Sequence, residues 1–109
     1  MAIKVEDLVG PMIGAARNSL AQDWPKAEAY SEMEFRKLAQ SLADIAALIA
    51  AGKVNEQQAV ALLNVHKNTT LMVLLTIEGL GVIAVENAIN AALNAVAGVV
   101  NTAAGVALI

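Results

Sequence analysis

The sequence predicts an all-α fold, a single domain over residues 1–109 built as a helical bundle of three to four helices. Apolar residues recur at steps of three and four along most of the chain, the spacing that lines one face of a helix. Alanine and leucine dominate the apolar set, and both favour helices. Sheet signals are weak: the only aromatics are Trp24, Tyr30 and Phe35, and no alternating runs are set off by regular turns.

The first candidate helix, residues 3–21, aligns Val5, Leu8, Val9, Met12, Ile13, Ala16 and Leu20 on one face. Gly10-Pro11 interrupts it, because proline lacks an N–H and crowds the preceding turn. Either the helix bends there, or Pro11 opens the main helix after a short separate turn. The second candidate, 25–51, starts at Pro25, a residue suited to a first helical position. Phe35, Leu38, Leu42, Ile45 and Ile49 form its packing seam, and Glu32 with Arg36 is a favourable i,i+4 pair. Gly52 is a natural stop.

Asn55 followed by Gln58 has the pattern of a capping box, so a third helix, 55–78, starts after a short turn and forms an αα-hairpin with the second. From Glu56 onward there is no proline. One unbroken helix to the end would run roughly 80 Å, far longer than a compact domain of this size. Glu78-Gly79-Leu80-Gly81 is the place for a break, and the apolar stripe changes phase across it. A fourth helix, 82–108, completes a four-helix bundle; a continuous rod within an oligomer is the alternative.

That last segment is unusual. It reads VENAINA, ALNAVAG, VVNTAAG, VALI, a heptad repeat. Val82, Ile89 and Val96 occupy one apolar column and Val85 and Val99 the next. On the far side Asn87, Asn94 and Asn101 recur every seven residues, beside a column of small residues that includes Ala91, Gly98 and Gly105. A solvated face normally carries lysine and glutamate. Small residues instead let a second helix approach closely, and asparagine amides can bond across such a contact. These eleven residues are the candidate self-association surface.

Composition points the same way. Apolar residues make up 58% of the chain before its seven glycines are added, against roughly 45–50% with glycine in an average domain. Charged residues are 16%, against about 25%. A small domain has little interior, so part of this apolar side chain is expected to meet another surface. All seven basic residues and eight of the ten acids lie at or before Lys67. The expectation is a homo-oligomer acting as a non-enzymatic structural or interaction module.

A membrane-embedded or membrane-active protein using residues 70–109 is the second expectation, weakened by the asparagines and by the lack of basic residues and aromatics around them. A carrier of an apolar ligand held between helices is the third. The opening residues carry acids at Glu6 and Asp7 and no long apolar run, unlike a signal peptide, so a cytoplasmic location is expected, with membrane as the alternative.

No cofactor is expected. Without cysteine there is no disulfide or thiolate metal site. A ferritin-like di-metal site needs Glu-x-x-His pairs, and the one histidine, His66, has Leu63 three residues before it. His66 reads as a polar surface or bundle-end residue. Glu78 and Glu86 read as bundle-edge carboxylates, with a cation-binding ring inside an oligomer as the alternative. Gly79-x-Gly81 follows no strand and lacks a third glycine, so it is no phosphate loop. A pI near 4.9 with scattered basic residues argues against nucleic acid. Trp24, Tyr30 and Phe35 are expected to pack in the core or hairpin.

Overall fold

The computed structural model describes residues 3–109 and contains four α-helices: α1 (Val5–Leu20), α2 (Trp24–Ala50), α3 (Glu56–Leu74) and α4 (Val82–Ala104). A short 3-10 turn, Ala21–Asp23, joins α1 to α2. At 1.5 Å per residue the 27-residue α2 is about 40 Å long, which matches the 42 Å long axis of a molecule 22 and 18 Å across. The helices lie side by side along that axis. Both α1 and α3 pack on α2 and α4, α2 and α4 touch across the middle, and α1 does not meet α3 among the described residues.

Helix α1 begins at Val5, six residues before Pro11, and continues through it. Asp7 and Pro11 both face out, so the Asp7 carbonyl that the proline leaves without a donor is on the solvent side. Leu8, Val9, Met12, Ala16 and Leu20 point inward. Helix α1 closes at Ala21, whose N–H donates to the Arg17 carbonyl at φ 49° and ψ −112°. Beyond this corner the Arg17 guanidinium lies 5.4 Å from the centre of the Trp24 ring, and the Trp24 indole N–H donates to Glu28 Oε2 at 3.0 Å.

The hairpin is built from local signals on both sides of its turn. At the end of α2 the Gly52 N–H donates to Ile49 O and the Lys53 N–H to Leu48 O, a Schellman motif that requires the left-handed Gly52 (φ +72°). Asn55 Oδ1 then accepts from the Gln58 N–H at 2.8 Å while Gln58 Oε1 accepts from the Asn55 N–H at 2.9 Å. Phe35, Leu38, Leu42 and Ile45 of α2 are buried, as are Ala59, Leu63 and Leu74 of α3. Trp24 and Phe35 are core residues as expected, but Tyr30 is 49% exposed on the outer side of α2. Glu32 and Arg36 form no ion pair; Glu34 and Lys37 do, at 3.2 Å.

Helix α3 ends at Leu74, four residues before the expected boundary. Thr76 Oγ1 donates to the Val73 carbonyl at 2.7 Å, and the N–H groups of Thr76, Ile77 and Leu80 reach back three residues rather than four. That tightening unwinds the helix before the glycines, and Gly79 (φ +90°) completes the reversal. Residues 55–109 are therefore two helices rather than one rod. Helix α4 stops at Ala104 rather than 108, because Gly105 is left-handed (φ +78°) and its N–H bonds to Asn101 O. Asn101 Oδ1 accepts from the Leu108 and Ile109 N–H groups, folding the following residues back over the helix end.

Candidate functional site

Helix α4 has one side in the bundle and one side outside. Its buried residues are Val85, Ala88, Ile89, Ala92, Leu93, Val96, Val100 and Ala104. This stripe is not the heptad column. A straight helix of 3.6 residues per turn drifts about 20° per heptad, so burial passes from Ile89 and Val96 to Val100 and Ala104, leaving Val99 exposed. Val82, at the helix start, is also exposed.

The expected self-association residues therefore divide into two groups. Val85, Ile89 and Val96 are enclosed by this chain's own helices. Val82, Val99, Asn87, Asn94, Gly98 and Gly105 are exposed, and Ala91 is half-buried. Asn101 is half-buried too, with its amide engaged by residues 108 and 109. Asn87, Asn90 and Asn94 make no side-chain hydrogen bond with the described residues. A Cβ added at Gly98 would meet nothing within 4 Å, so no packing inside the bundle accounts for glycine there.

The outward stripe is continuous: Ile83, Asn87, Asn90, Ala91, Asn94 and Gly98 lie within an arc of about 100° on the helix. Ile83 is 74% exposed. Glu86 is the one charge on α4 and sits to the side, in a groove of about 190 Å³ shared with Lys67 and Leu71 of α3. On α3, Val65 and Met72 are also exposed. Glu78, also exposed, lies in the connection between α3 and α4. A shallow groove of about 560 Å³ runs from Ile3, Lys4 and Asp7 to Gly98 and Val99. The exposed charges are most numerous on α2, while Lys4 and Asp7 at the start of α1 border Gly98, and Lys67 of α3 borders Asn90.

A polar cluster that periodicity did not reveal lies between α2 and α3. Glu34 is 2% exposed, and its carboxylate lines a groove of about 250 Å³ with Lys37, Ser41, His66, Thr69 and Thr70. His66 is not at a bundle end: it is half-buried at mid-helix, with Nδ1 3.2 Å from Ser41 Oγ. The Ser41 hydroxyl donates to the Lys37 carbonyl at 3.1 Å, which makes the imidazole N–H the donor to Ser41. One turn before Glu34, Ser31 Oγ is fully buried without a partner. Glu34, Leu38 and Ser41 share the α3-facing side of α2, but their meeting with His66 depends on how the two hairpin helices align, which single-helix periodicity does not give. Among the described residues, no three metal-ligating side chains of the His, Cys, Asp and Glu types gather together.

By length and composition, α4 is apolar enough to cross a membrane, the one described helix of which this holds. The chain matches no family model, no curated protein and no solved structure.

Proposed function

We propose that this protein is a non-enzymatic helical module that self-associates through the outward face of α4. The observation that carries the reading is the uncharged outer stripe of a helix whose inner side is already fully used: Ile83, Asn87, Asn90, Asn94 and Gly98 are exposed, and a Cβ at Gly98 would meet nothing within 4 Å. Ile83 alone loses about 2 kcal/mol of burial free energy by remaining in water. Three unpaired asparagine amides offer donors and acceptors that a second copy can satisfy. One long side of a 42 × 22 × 18 Å bundle has on the order of 800 Å², the area each partner contributes to a standard interface.

Sedimentation velocity and light scattering in detergent-free buffer test this reading. The wild type is expected to be oligomeric at micromolar concentration, and Asn94→Lys to be monomeric with unchanged helicity. A wild type that stays monomeric throughout the micromolar range sinks the proposal.

The length and apolarity of α4 support a second reading, insertion into a membrane. It requires breaking the contacts of Val85, Ile89, Val96 and Val100 with the other helices and desolvating the three outer asparagines. Recovery of the protein in the soluble fraction without detergent counts against it; retention in the membrane fraction supports it.

A further inference from the structure

We infer that two copies pair α4 against α4 in antiparallel orientation, about a two-fold axis passing between Asn90 and Ala91; this rests on the self-association reading above. A two-fold interface must be complementary to itself, each residue meeting the residue its mate meets in return. With the axis between residues 90 and 91, Asn87 faces Asn94 of the second copy, and Ile83 faces its Gly98. The largest exposed side chain on the stripe thus meets the position where a Cβ has open space around it. Two amides stand opposite each other on either side of the axis, each able to donate and accept. Asn90 and Ala91 lie beside their own counterparts, offset by about 1.5 Å along the helix.

The parallel arrangement fits the same residues badly. It places Ile83 against Ile83 at one end and Gly98 against Gly98 at the other, so the helices are wedged apart where they begin and leave a gap where they end. It also sets the two Glu86 carboxylates at one level and aligns the helix dipoles. In the antiparallel register the two Glu86 residues are about 13 Å apart along the axis, beyond the roughly 8–10 Å over which exposed charges interact in physiological salt. The dipoles then oppose each other.

The chain has no cysteine, so single introduced cysteines report the register directly. A disulfide needs Cα atoms within about 7 Å, whereas residue 87 lies about 10 Å along the axis from residue 87 of the second copy. Under mild oxidation, Asn87→Cys mixed with Asn94→Cys is expected to give a covalent dimer containing one chain of each. Either variant alone remains uncrosslinked, while Asn90→Cys crosslinks to itself. Self-crosslinking of Asn87→Cys and of Asn94→Cys, each alone, overturns the inference in favour of a parallel pair.

Sedimentation of the reduced variants checks that substitution has not altered assembly. If it has, a nitroxide on a fraction of Asn94→Cys chains, mixed with isotope-labelled wild type, is expected to broaden the amide signals of Ile83 and Asn87. Broadening centred on Asn94 itself overturns the register. An oligomeric wild type with neither crosslink nor broadening at these positions refutes the antiparallel register while leaving self-association standing. A monomeric wild type removes both.

Discussion

Asn101 holds Leu108: the side-chain Oδ1 accepts the Leu108 backbone N–H at 2.8 Å and, with it, the Ile109 N–H at 2.9 Å. Its Nδ2 donates back to the Ile109 carbonyl at 3.3 Å. One amide thus satisfies three backbone groups just past the end of α4 and keeps Leu108 buried against the core. Asn101→Ala is expected to cost about 1–2 kcal/mol, the loss of part-buried hydrogen bonds. Asn101→Asp, which keeps the acceptor and loses the longest of the three bonds, should cost less. Denaturant unfolding of both variants checks the order, and hydrogen exchange at Leu108 and Ile109 should quicken in the alanine variant. Equal stability of Asn101→Ala and wild type would show that the tie contributes nothing.

The corner between α1 and α2 stores backbone strain at Ala21, where φ 49° and ψ −112° belong to a region that glycine enters freely and alanine does not. Ala21→Gly is expected to stabilise the protein by about 1 kcal/mol, relief of strain outweighing the added freedom of the unfolded chain. The gain should appear in thermal and denaturant melts alike. A loss of stability would mean that the unfolded-state entropy of glycine exceeds the strain.

How far the fold was legible depends on the range of the interaction concerned. The α2–α3 turn was readable because its signals are local: Gly52 ends one helix, and Asn55 with Gln58 starts the next, all within seven residues. The inward phase of α4 was only half readable. Val85, Ile89 and Val96 lie on both the heptad column and the buried stripe, but Val99 lies outside that stripe because the helix keeps its ordinary pitch, and Val82 is exposed because it is the first residue of the helix. Asn101 shares its spacing with Asn87 and Asn94, and no spacing rule separates an amide that ties down the chain end from one that faces outward. The Glu34, Ser41 and His66 cluster depends on the alignment of two antiparallel helices, joining residues 25 apart in sequence.

Ser31 is the one fully buried side-chain group without a hydrogen-bond partner among the described residues. A hydroxyl removed from water and left unbonded costs roughly 1–3 kcal/mol. Ser31→Ala removes that cost and has the better helix propensity. It is expected to raise stability by about 1 kcal/mol without altering the helical content seen by circular dichroism. Destabilisation on making this substitution would reveal a buried partner for the hydroxyl.

Gly98 separates stability within one copy from association between copies. Its added Cβ meets nothing in the bundle, and alanine in a helix interior is favoured over glycine by about 1 kcal/mol. Gly98→Ala should therefore stabilise the isolated chain. If Gly98 receives Ile83 of a second copy, the same methyl group occupies the space the isoleucine needs and weakens the pair. Association makes melting temperature rise with protein concentration, because binding stabilises the folded state by mass action. The variant is thus expected to melt above the wild type when dilute and to lose that advantage as concentration increases. Melting curves across a concentration series check this, and an advantage that stays constant across the series would separate Gly98 from any contact between copies.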